Sequence, residues 1–172
     1  MVEKENTGKE MIRRIIKYRY EKYGIHPGKM YVQKILFISK VLGENVPYDY
    51  SLYTYGPYSR EIMDDLDDME LMGEVSMEWN DRFEGYEIIN NDIKIDEDLS
   101  FDILENVLEE HGNKNAKSLE LLSTILYLFK DYPEKDDLFR SVKEVKPMFE
   151  DDKIEKMIDL VKDMNLNIPY KI

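Results

Sequence analysis

The sequence predicts an α+β fold, mostly helical, with one unit over residues 1–95 and a helical unit over 96–172 packed against it, or the two merged into one continuous domain. Three observations carry that reading. Apolar residues recur at helical spacing, as in Met11, Ile12, Ile15 and Ile16, in Val32 to Val41 and in Leu119 to Phe129. Glycines stand where such runs stop, at Gly24, Gly43, Gly73 and Gly112. Two short stretches alternate instead, Val75-Met77-Trp79 and Tyr86-Ile88, which marks a single hairpin. A helix, a glycine and a two-stranded hairpin in that order read as the back half of a winged helix.

Taken along the chain, Lys9 to Tyr23 reads as an amphipathic helix, and His26-Pro27-Gly28 as the turn after it. Met30 to Leu42 is apolar nearly all round and should lie centrally. Tyr48 to Tyr55 is an extended, tyrosine-rich strand that Gly56-Pro57 should halt. Ser59 can cap a third helix, Ser59 to Met72, with Ile62, Leu66 and Met69 on its inner face. Residues 74–90 form the hairpin, and the charged stretch around Asp96-Glu97-Asp98 is the expected linker. Four helices should follow: Phe101 to His111, Asn115 to Lys130, Lys135 to Lys146 and Asp151 to Met164.

Composition narrows the function. No apolar run approaches the roughly 18 residues that span a bilayer, so no membrane partner is expected. The residues from Met1 to Lys9 carry no secretory hydrophobic stretch, and a cytoplasmic location follows by elimination. The absence of cysteine excludes disulfides, thiolate catalysis and cysteine–zinc sites. Net charge is -13, unevenly spread: residues 1–43 sum to +6, residues 44–95 to -11 and residues 96–172 to -8.

Three blocks carry a resemblance to a known group. They are Val32-Gln33-Lys34-Ile35-Leu36-Phe37, then Tyr55-Gly56-Pro57-Tyr58-Ser59 with Leu66, Met69, Gly73 and Val75 after it, and Leu119 to Tyr127 followed by Val145-Lys146-Pro147-Met148-Phe149. In these the chain resembles the YwgA-like family, related to the Panacea, or SocA-like antitoxin, superfamily. The resemblance implies a winged-helix-like front half with added helices. It also implies a non-enzymatic, antitoxin-like or regulatory role that works by binding, with a toxin as one such partner.

Charge argues against the usual way a winged helix reads DNA. The third helix carries Arg60 against Glu61, Asp64, Asp65, Asp67, Asp68 and Glu70, so bringing it to a phosphate backbone is uphill. The first helix is the better basic surface, through Arg13, Arg14 and Lys17. Three readings of it stand. It is a solvated face laced by Glu10–Arg14 and Lys17–Glu21 pairs, a phosphate contact, or a dock for an acidic protein surface such as the third helix of a second copy, giving a homodimer. The acidic helix itself reads as a solvated face, as a dock for a basic partner, or as a cation site at Asp64 and Asp68 or at Glu61 and Asp65, where a helix face alone supplies few oxygens. Tyr53, Tyr55 and Tyr58 are candidates for a protein interface, since tyrosine buries a large ring while keeping its hydroxyl paired. Trp79 is expected to pack the hairpin.

No catalytic arrangement is apparent. The two histidines, His26 and His111, lie far apart and beside no nucleophile, and no glycine-rich loop precedes a helix at phosphate-binding spacing. His111, at a helix C-terminus, reads as a capping residue there. No cofactor or metal is therefore expected. The expectation is a non-catalytic interaction protein whose partner-binding residues include Tyr53, Tyr55, Tyr58, Arg60, Asp64 and Asp68. The alternative is a transcription regulator that contacts DNA through Arg13, Arg14 and Lys17.

Overall fold

The computed structural model describes residues 2–164 together with Leu166 and Ile172. The fold is α+β and mostly helical. Its elements run α1 (Val2–Tyr23), α2 (Lys29–Val41), β1 (Ser51–Tyr53), β2 (Gly56–Tyr58), α3 (Arg60–Leu71), β3 (Val75–Asn80), β4 (Gly85–Asn90), α4 (Asp102–His111), α5 (Ala116–Phe129), α6 (Lys135–Val145) and α7 (Asp151–Asp163). Both sheets are two-stranded and antiparallel, β1 with β2 and β3 with β4.

Helix α2 is the centre of the molecule. Ten of its residues are buried, and it packs against α1, α4, α5, β2 and β4. The second hub is α5, also with ten buried residues, which carries α6, α7 and β2. One continuous set of buried apolar side chains runs from Met11 through Phe37 and Leu66 to Leu122 and Ile158. The core is therefore shared between residues 1–95 and 96–172.

Several elements depart from the sequence expectation for identifiable reasons. Helix α1 begins at Val2, about two turns before Lys9. Gly56 and Pro57 do not halt a strand; they are the second strand of a small hairpin. Its turn is Thr54-Tyr55, and Tyr53 pairs with Gly56. Gly56 has φ +92, the conformation that lets the chain double back there. Ser59 takes the N-cap position of α3, yet its hydroxyl makes no capping bond. The Gln33 amide instead reads the Ser59 backbone, accepting from its N–H at 2.9 Å and donating to its carbonyl at 2.7 Å. The stretch expected as a linker is tied down: the Asp96 N–H donates to Glu10 at 2.8 Å, and Arg14 donates to the carbonyls of Asp96 at 2.7 Å and Leu99 at 2.6 Å.

Candidate functional site

The hairpin β1–β2 presents Tyr53 and Tyr55 to solvent, 61% and 62% exposed, beside a half-buried Tyr58. Tyr53 and Tyr58 meet edge to face, with ring centroids 5.2 Å apart. Earlier tyrosines of the same stretch turn inward. Tyr48 is buried and donates to Asp65 of α3 at 2.6 Å, while Tyr50 packs its ring against Phe37. Burial comes first among the reasons that both phenols resist ionisation, with nearby carboxylates adding to it.

Beneath the exposed pair lies a cluster of buried charge. Lys34 of α2 and Lys146, just after α6, are each 1% exposed, and Glu120 of α5 is 6% exposed. Lys34 donates to the Pro57 carbonyl at 2.6 Å. Lys146 donates both to Glu120, at 2.6 Å, and to the carbonyl of Thr54. The second strand of the hairpin and its turn are thus held from below by ammonium groups. A cavity of about 210 Å³ opens beside them, lined by Met30, Lys34, Tyr53, Thr54, Tyr55, Gly56 and Tyr58.

Electrostatics shape this cluster. Two ammonium groups face one carboxylate, an excess of one positive charge in a buried site. Burial lowers the Lys34 pKa to about 8, with Glu120 opposing that shift and Lys146 reinforcing it. Gly56 fits tightly above it. A Cβ at that position would stand 2.9 Å from Thr124 Oγ1 of α5, so the hairpin can approach α5 only through glycine.

Three of the sequence blocks described above converge here. Gln33 and Lys34 come from the first, Tyr55 to Ser59 from the second, and Glu120, Thr124 and Lys146 from the third. The second block lies 23 residues from the first along the chain, and Lys146 lies 92 residues from the carbonyl it holds. Sequence reasoning picked out the tyrosines and missed Lys34, Glu120 and Lys146. For Lys34 and Glu120, a charged residue inside an otherwise apolar helix was the available signal.

The remaining candidates lie elsewhere. Arg60, Asp64 and Asp68 are exposed on α3, and Asp68 pairs with Lys9 at 3.5 Å. Arg13 and Arg14 do not form an open basic surface. Arg13 bonds Glu74 at 3.0 Å and Glu10 at 3.2 Å with its side chain 19% exposed. Arg14, 15% exposed, bonds Glu10 and the carbonyls of Asp96 and Leu99, and lies over the Phe101 ring. Lys17 is more open and pairs with Glu21 at 3.8 Å. Both helix pairs expected from the sequence, Glu10–Arg14 and Lys17–Glu21, are present. Trp79 packs edge to face on Tyr86 but stays 55% exposed. His111 is buried at the end of α4, and that burial, with Lys114 nearby, lowers its pKa, so it serves there as a neutral ring rather than a charged cap.

Among the described residues, no group of three or more His, Cys, Asp or Glu is placed to hold a metal ion. None of the described helices is long and apolar enough to cross a membrane. Compared with protein-family models and with curated proteins, the chain matches none.

Proposed function

We propose that this is a non-catalytic interaction protein, antitoxin-like or regulatory, that binds a protein partner through the β1–β2 hairpin. The observation that carries the reading is the pairing of two widely exposed tyrosines with a backbone fastened from beneath by Lys34 and Lys146. Exposed aromatic rings on a flexible loop would lose affinity to ordering; rings on a pre-set hairpin lose little. Tyrosine is also among the residues that dominate binding energy at protein interfaces. The antitoxin-like part rests on the resemblance, whose three blocks meet at this hairpin; under it the partner is a toxin.

A protein is favoured over DNA by where the cations go. Arg13 and Arg14 are spent on carboxylates and backbone carbonyls, so releasing them to phosphates would break contacts that hold the 96–99 stretch. The acidic face of α3 lies on the same side as Lys9 and would repel a duplex. A tagged pull-down from native lysate, with and without nuclease, tests the choice. One stoichiometric protein that survives nuclease and is lost from a Tyr53→Ala/Tyr55→Ala variant is the expected result. Recovery of DNA, with proteins lost on nuclease treatment, would replace this reading with the transcription regulator.

A further inference from the structure

Strand β3 has a free edge. Its one neighbour in the sheet is β4, whose far side is covered by the chain before α2: Gly28 bridges Glu87, and the Ile88 N–H donates to the Pro27 carbonyl at 2.9 Å. Because that N–H points away from β3, Ile88 and its partner Met77 form a pair that exchanges no ladder bonds. The Met77 N–H therefore points outward as well, and a side chain meets it, the Glu70 carboxylate of α3, at 3.0 Å. Outward groups recur at every second residue of a strand. The Met77 carbonyl and the N–H and carbonyl of Trp79 thus face outward, with no strand beyond them among the described residues. Glu78 and Trp79 are exposed there.

The register sets what lies on each face of that edge. On one face Glu78 stands directly across from Glu87, a like-charge pair that weakens a hairpin and that an added cation would relieve. On the other face Trp79 lies edge to face with Tyr86 and gives its indole N–H to Asp81 at 2.8 Å. From residue 70 to residue 81 the chain carries Glu70, Glu74, Glu78 and Asp81 and no lysine or arginine. Arg13 answers Glu74, and Arg82 lies beyond, in the turn. Open edges are commonly guarded by lysine; this one is flanked by carboxylates. They disfavour a second copy, since pairing β3 with itself would crowd Glu70, Glu78 and Asp81 against their own counterparts. The same charges attract a cationic strand.

We propose that the β3 edge binds an extended, cationic segment of a partner polypeptide as a third strand. Lysine or arginine alternates in it with apolar residues, so that its cations lie beside Glu78 and its apolar side chains against Trp79. This surface is separate from the β1–β2 hairpin and does not depend on that assignment. The probe is a capped peptide of alternating lysine and valine, titrated into the full chain by calorimetry and by the emission of Trp79, the single tryptophan. It should bind one-to-one with a dissociation constant below about 1 mM and shift that emission, and its glutamate–valine counterpart should bind about tenfold weaker or worse. Two analogues N-methylated on alternate residues, one in each phase, separate strand pairing from charge attraction. Only one phase places its methyl groups against β3, so one analogue should lose about tenfold or more and the other should bind like the parent. Glu78→Lys should weaken the lysine peptide about tenfold; the residue is exposed, and lysine opposite Glu87 suits the hairpin, so the variant keeps the fold. Equal binding of the two methylated analogues, undiminished binding to Glu78→Lys, or no saturable binding at about 1 mM would overturn the proposal. Self-association of the free chain in sedimentation, accompanied by a change in Trp79 emission, would overturn it in favour of a second copy at this edge.

Discussion

Two pairs of cations in this protein have opposite surroundings and opposite uses. Arg13 and Arg14 sit on α1 near solvent and fasten surface segments: one grips Glu74 beside the β3–β4 hairpin, the other the 96–99 stretch that leads into α4. Lys34 and Lys146 sit in the interior and reach outward to carbonyls of the hairpin that exposes Tyr53 and Tyr55. The cations nearest water are therefore consumed by structure, while those farthest from it position the surface best suited to recognition. Position in the hydrogen-bond network, rather than exposure, tells which segment each charge holds in place.

The comparison can be broken hardest at the buried pair. Glu120→Ala should leave two lysines uncompensated in a buried site and cost about 3–5 kcal/mol in urea unfolding. Replacing Glu120 and Lys146 together by Met should recover part of that loss, because Lys34 alone is then left without a carboxylate. Gly56→Ala comes next. It places a side chain at φ +92 and against Thr124, and should cost about 1–3 kcal/mol by the same measurement. Arg14→Ala removes contacts that are only partly shielded from water and should cost about 1 kcal/mol, less at high salt.

A further effect is one of slope. The Lys34 pKa is about 8 in the fold and near the ordinary lysine value of about 10.5 when unfolded. Between those values the unfolded chain binds more protons, so stability contributed by this group rises with pH. Below about pH 8 both states are protonated, and the burial cost is fully present. Melting temperatures measured from pH 7 to 10 should therefore climb for the wild type relative to Lys34→Met. Parallel curves would contradict the assignment.

How legible was this in the sequence? Helix positions were, because apolar spacing and the glycines at 24, 43, 73 and 112 act locally. Pairs one helical turn apart, Glu10–Arg14 and Lys17–Glu21, were legible for the same reason. The turn at Thr54-Tyr55 was not, since Gly56-Pro57 reads as a strand breaker until one sees that α5 leaves room there for glycine alone. Nor was the charge cluster. Lys34 and Glu120 interrupt strongly apolar helices, which says that each needs a partner. The partners are backbone carbonyls and a lysine far along the chain, and a carbonyl leaves no mark in the sequence. Tyr53 and Tyr55 were picked out by residue type, but the pinning that makes them a rigid surface could be seen only in three dimensions.

The central claim is that buried lysines hold the aromatic hairpin in place. Amide hydrogen exchange over residues 51–59, compared between wild type and Lys34→Met and referenced to the β3–β4 hairpin, tests it most directly. Loss of the Lys34 hold should speed exchange across β1–β2 by about tenfold or more, with β3–β4 unchanged, as expected for a local opening. Identical protection in the two proteins would show that the hairpin stands without the lysine and would contradict the account.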